Sequence, residues 1–191
     1  MGKERMTAFT DGVIAVIITI MVLDLKAPES ADWSALSKLL PTFLSYVLSF
    51  LYVAIYWNNH HHLLAACERV SGGVLWANMH LLFWLSLIPF TTAWLAENHF
   101  EPVPTLLYGA SLFAPALAYA ILARTLIGVQ GRESLLANAL GAGVKEIASL
   151  ALYGFGAAFA LWAPAVSLAT YVAVALLWLV PDRRIERTMT R

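Results

Sequence analysis

The segment Arg5-Met6-Thr7-Ala8-Phe9-Thr10-Asp11-Gly12 sets a carboxylate directly against an apolar run, Val13 to Val22, that only Thr19 interrupts. Gly12 to Leu23 is a stretch of 12 uncharged residues. As a helix it would be about 18 Å long, against roughly 30 Å for the hydrocarbon core of a bilayer. Asp11 is therefore expected at or inside a membrane boundary, where an ionisable group is costly unless it is paired or hydrated, and so is a candidate functional group. The plainer alternative is an interfacial carboxylate that caps a helix. Partners lie further along the chain: Asn58, Asn59, His60, His61 and His62 follow Trp57, and Asn78 and His80 come one segment later. A carboxylate, neutral imidazoles and amides can satisfy one another where water is scarce, so Asp11 is expected to use His61, His62, Asn78 and His80 to hold helices together. This chemistry is structural rather than catalytic.

Other constellations point to less. Three consecutive histidines on a helix project about 100° apart and do not converge on one ion, and with a single cysteine the other ligands are short, so no metal site is expected. Gly-x-Ser-x-Gly, His-Glu-x-x-His and P-loop patterns are absent, so enzymatic chemistry has no visible carrier. Tyr153-Gly154-Phe155-Gly156 superficially resembles a carbonyl ion filter, but it falls inside an apolar run with no preceding pore helix. Together with Gly141 and Gly143 it reads as close helix packing. Cys67 has no internal disulfide partner and carries no functional weight.

The elements that must position these residues are membrane helices. Of 191 residues 60% are hydrophobic and 13% charged, with a mean hydropathy of +0.72, outside the balance of a soluble domain. Apolar stretches predict an all-α polytopic membrane protein with six transmembrane helices, at roughly 7–25, 36–57, 72–95, 104–127, 145–162 and 164–181, forming one domain over 1–191. Asp24 to Ser34, Asn58 to Arg69, Glu97 to Pro104 and Gln130 to Lys145 divide them. Ala163-Pro164 makes the last two a tight hairpin, with one broken helix as the alternative. Asp11 and Asp24 interrupt the amino-terminal run and no small-residue cleavage site follows, so the first helix is expected to remain in the mature protein.

Lys3, Arg5, Arg69, Arg124, Arg132, Lys145, Arg183, Arg184, Arg187 and Arg191 fall on one side of this topology, and only Lys26 and Lys38 on the other. Positive loops stay inside, which predicts a cell inner (plasma) membrane protein with both termini cytoplasmic. Lys plus Arg and Asp plus Glu balance at 12 each, and nothing in the charge argues for a nucleic-acid partner.

Arg5, Phe9, Thr10 and Asp11 match the R-x-x-x-F-[ST]-D signature that opens the first helix of the transmembrane protein 175 family of potassium channels, which usually has Ser at the position of Thr10. The chain resembles that family further through Gly12 to Thr19, at Trp57 with its histidines, and at Asn78 and Pro89-Phe90. The resemblance implies the bacterial branch: one six-helix repeat per chain, a homotetramer, no P-loop, and a pore lined by helix one of each subunit. It implies permeant potassium and other monovalent cations, membrane lipid as surroundings, no cofactor and no enzymatic activity. It also makes Arg5, Phe9, Thr10, Asp11, Trp57, His61, His62, Asn78 and His80 the motif and its structural network. The usual constriction, an isoleucine or leucine five residues after the aspartate, is here Val16. The hydroxyl eight residues after the aspartate, which contributes to potassium preference, is Thr19.

Helical geometry agrees, because positions 12, 16, 19, 20 and 23 fall on one stripe about 100° wide. Gly12, Val16, Thr19, Ile20 and Leu23 can face one axis, where Val16, Ile20 and Leu23 would form a dewetting constriction and Thr19 a hydroxyl ring of modest selectivity. The same stripe could simply pack against other helices. A secondary transporter would instead call for inverted repeats with broken helices in matching places, for which Gly12 and Pro115 are thin support. A non-conducting scaffold would need only helix packing.

Overall fold

The computed structural model describes residues 2–131, 134, 137 and 143–179. Arg132, Gly141, Arg183, Arg184, Arg187 and Arg191, used above for orientation and packing, lie outside the described residues, as does the end of the sixth expected span. Within them the chain is helical throughout, with no strand: α1 (Lys3–Leu23), α2 (Trp33–Lys38), α3 (Leu40–Ala65), α4 (Gly72–Ser86), α5 (Ile88–Glu97), α6 (Pro102–Gln130), α7 (Val144–Phe159) and α8 (Pro164–Leu179).

Among the described residues, four segments are long and apolar enough to cross a membrane: α1, α3, α4 with α5, and α6. The protein is a multi-pass membrane protein. At 16 residues each, α7 and α8 run about 24 Å. They form an antiparallel hairpin: Ser167 Oγ donates to the Gly156 carbonyl near the turn (2.6 Å) and Trp178 Nε1 donates to Ser149 Oγ at the far end (2.7 Å). This favours the hairpin over a single broken helix.

Three boundaries differ from expectation. The second apolar helix continues to Ala65, so the Asn58 to His62 run is helix and not loop. Leu63 and Leu64, both buried, draw these roughly two extra turns into the core. Its amino end is split by Pro41, which separates the short α2 from α3. The third segment breaks at Leu87, two residues before Pro89, which lacks an N–H and crowds the carbonyl four residues back.

Two hydrophobic clusters hold the bundle. One joins α1, α3, α4 and α6 through Met6, Ile14, Ile17, Val53, Leu81 and Leu122. The other joins α3, α6, α7 and α8 around Tyr52, Tyr108, Tyr153 and Tyr171. The fully buried ring of Tyr171 lies against Gly109 of α6 and Gly156 of α7, where a Cβ would overlap it. Gly156 thus has the packing role expected of it, whereas Gly154 faces open space and Gly143 supplies a left-handed residue (φ 62°) before α7. Tyr153-Gly154-Phe155-Gly156 lies within α7, with its carbonyls in a helix.

Candidate functional site

Helix α1 has two unlike faces. Met6, Thr10, Ile14, Ile17 and Met21 recur at helical spacing and are buried, against α3, α4 and α5. The opposite face is bare: Val16 is 55%, Ile20 46% and Leu23 75% exposed, against 3% for Ile17. Gly12 and Thr19 are exposed on the same side, and nothing lies within 4 Å of where a Gly12 Cβ would be. The stripe drawn from sequence therefore coincides with the uncovered face. The Thr19 hydroxyl donates to the Val16 carbonyl within the helix (2.9 Å), which leaves its oxygen lone pairs directed outward. A groove beside this face is lined by Phe9, Val16 and Ile20 of α1 and by Pro89, Phe90 and Ala93 of α5.

The buried face carries the polar network. Asn78 of α4 donates through Nδ2 to Thr10 Oγ1 (2.8 Å), and its Oδ1 meets His60 Nε2 of α3 (2.8 Å). All three are buried, so one amide ties together three helices away from solvent. One position along, Asp11 turns outward and accepts a hydrogen bond from Trp57 Nε1 (2.9 Å). The Trp57 ring stacks on His61 (5.9 Å between centroids, 27°), and His61 meets His62 edge-on.

This differs from the expected pairing. Asp11 is hydrogen-bonded by Trp57, not by His61, His62, Asn78 or His80. Asn78 serves Thr10 instead, and His80 accepts from Trp84 Nε1 on its own helix (2.8 Å). Because the aspartate lies one residue past the buried position, only the exposed edge of α3 reaches it. Arg5 is exposed and has no side-chain partner among the described residues. Phe9, 51% exposed, lines the groove. Sequence reasoning passed over His60 as a site residue. Its signal was present: Tyr52, Tyr56, His60 and Leu63 follow helical spacing on the buried face of α3. No group of residues suited to hold a metal ion occurs among the described residues.

At the carboxy-terminal end of α1, Asp24 borders the same groove. Its carboxyl is held above the usual carboxylate range by partial burial and then by the nearby Glu97 carboxylate, with Lys26 opposing.

The bare stripe, the buried amide and the Asp11–Trp57 bond all lie on segments shared with known proteins. The family model described as endosomal/lysosomal potassium channel TMEM175 matches residues 5–89. A protein of Chryseobacterium sp. named as a potassium channel is 48% identical over 189 residues, 99% of this chain and 98% of that one. The chain belongs to the TMEM175 family. A potassium channel of Streptomyces collinus is 35% identical over 123 residues, 60% of either chain. The crystal structure of a lysosomal potassium-selective channel TMEM175 homologue from Chamaesiphon minutus matches the fold with a TM-score of 0.82 at 24% identity, over 94% of this chain and 97% of that one. These TMEM175 relatives are named as channels, not enzymes. The Arg5 to Asp11 signature, nearly all of α1 and the whole of α2, α3 and α4 fall within the matched family segment.

Proposed function

We propose that the chain is one subunit of a homotetrameric, potassium-permeable, weakly selective leak channel of the cell inner (plasma) membrane. In this reading six helices per subunit cross the bilayer, both termini are cytoplasmic, and the four α1 helices surround the conduction axis. Val16, Ile20 and Leu23 form the hydrophobic constriction and Thr19 the hydroxyl ring. The observation that carries it is the bare face of α1: on the helix that carries the family signature, an apolar stripe with a hydroxyl in it is left uncovered by its own subunit, where other copies can meet it around an axis. The relatives' potassium-channel names support the permeant ion. The outward lone pairs of Thr19 supply four oxygens where the rest of the stripe is apolar. Thr10, Asn78 and His60, with Asp11 and Trp57, would fix how α1 stands relative to α3 and α4. The groove between α1 and α5 would receive the neighbouring subunit's α1.

Purified protein in planar bilayers tests this reading. Unitary current steps with a reversal potential shifted toward potassium are expected. A silent protein would favour a scaffold, and saturable flux without unitary steps a transporter.

A further inference from the structure

A small, partly open cavity of about 30 Å³ lies between α3, α6, α7 and α8. Its walls carry Tyr56 and Asn59 of α3, Tyr119 of α6, Glu146 and Ser149 of α7 and Trp178 of α8. The stripe of α1 takes no part in it. The cavity holds one or two water-sized species, a single water needing roughly 10–15 Å³ of such volume.

Most of the hydrogen-bond donors around it are already engaged, the hydroxyls of Tyr56 and Tyr153 being free to rotate. Asn59 Nδ2 donates to the Ile55 carbonyl (2.9 Å) and the Tyr119 hydroxyl to the Asn59 carbonyl (3.2 Å). Trp178 Nε1 donates to Ser149 Oγ (2.7 Å), whose proton goes to the Lys145 carbonyl (2.7 Å). Tyr52, also on the wall, donates to the Tyr171 carbonyl. Oxygens remain: the Glu146 carboxylate, Asn59 Oδ1, the lone pairs of Tyr119, and the Tyr56 hydroxyl. Tyr56 is only 8% exposed, and its hydroxyl lines the cavity with its lone pairs open to a cation and its proton free to turn away or donate. Aromatic rings complete the wall, and their faces also attract positive charge. Lys145 is not part of the lining, although its ammonium lies 5.8 Å over the Trp178 ring.

A cavity in which acceptors outnumber free donors, with π faces and one carboxylate in its wall, suits a cation rather than an anion. We infer that each subunit holds a site for one monovalent cation of ammonium or potassium size in this cavity, bound by Glu146, Asn59 Oδ1 and Tyr56. Potassium would be held by the oxygens as a bare ion, and ammonium would donate to them. The site stands apart from the proposed pore stripe and would tie α7 to α3 according to the ions present.

The test is anomalous diffraction from crystals of the full chain grown in thallium(I), a heavy ion of potassium size. One anomalous peak per subunit is expected between Glu146 and Asn59, lost in Glu146→Gln, which keeps the shape of the side chain, and weakened in Tyr56→Phe. Competition with ammonium chloride should remove the peak if ammonium shares the site, and leave it if the site takes potassium alone. Non-anomalous density in the wild-type cavity, or a peak unchanged in Glu146→Gln, overturns the proposal. Peaks along the four-fold axis are a separate readout: their absence counts against the pore reading and leaves the cavity site standing.

Discussion

Replacing Asn78 by leucine removes the amide that joins Thr10 to His60 and orphans one polar atom on each of two other helices. Thr10 is 0% and His60 1% exposed, so neither can turn to water. Each orphaned buried group costs about 1–3 kcal/mol, which sets an upper estimate of about 6 kcal/mol for the pair. Interhelical hydrogen bonds measured inside membranes average only about 0.6 kcal/mol, because the unfolded chain also finds partners there, which sets a lower estimate near 1.2. The full burial of both orphans places the expected loss at about 2–3 kcal/mol. Unfolding in mixed detergent micelles, followed by tryptophan fluorescence, measures it. With Thr10→Val already present, Asn78→Leu orphans only His60, so the cost should fall by about 1 kcal/mol. Strict additivity of the two changes, or a loss below about 0.5 kcal/mol for Asn78→Leu, would refute the network as the element that positions α1.

Three further outcomes are expected. Asparagine at Val16 or Ile20 should raise conductance and lower potassium over sodium discrimination in bi-ionic recordings, and Thr19→Ala should lower selectivity with little gain in current; equal effects at buried Ile17 would sink the stripe. Gly109→Ala and Gly156→Ala should each destabilise by driving a methyl group into Tyr171, whereas Tyr171→Phe should stabilise by about 1 kcal/mol or more, because the buried Tyr171 hydroxyl has no hydrogen-bond partner. Asp24, with its carboxyl pKa raised by folding, weakens the fold when ionised and ceases to do so as pH falls through that raised value; Asp24→Asn should therefore gain stability at neutral pH and lose the wild type's relative gain on mild acidification, as read by unfolding midpoints across that range.

The stripe at 12, 16, 19, 20 and 23 was legible because helical periodicity depends only on local spacing, and α1 is one uninterrupted helix. The pairings around it were not. Asp11 and Thr10 are adjacent, yet one turns to Trp57 and the other to Asn78. A rotation of about 100° between neighbours decides which helix each one meets, and that follows from tertiary packing. The histidine run shows the same effect. His60 is buried and bonded while His61 stacks on an exposed ring, a distinction that required extending the apolar spacing of α3 beyond Trp57. The acceptor-lined cavity was out of reach, since its walls come from four helices far apart in sequence.

The break at Leu87 shows how the wall beside α1 is kept in place. A proline inside a membrane segment frees backbone carbonyls that lipid cannot satisfy. Pro89 frees the Leu85 carbonyl in this way; just past the break, at the start of α5, Thr91 and Thr92 donate to the Ile88 carbonyl, at 3.1 and 2.7 Å. The same hydroxyls reach outward, Thr92 to Ser49 of α3 (2.7 Å) and Thr91 to Ser111 of α6 (2.8 Å). The site of the break is thus also where α5 is tied to two neighbours. Phe90, between the proline and these threonines, points the other way, 62% exposed beside α1. Residues that tether α5 just past the kink on one side fix the direction of the aromatic ring on the other. A kink tethered in this way acts as a rigid shelf rather than a hinge, so movement of α1 against α5 would have to come from α1 itself, whose buried contacts beyond Asp11 are apolar side chains, Ile14, Ile17 and Met21 among them.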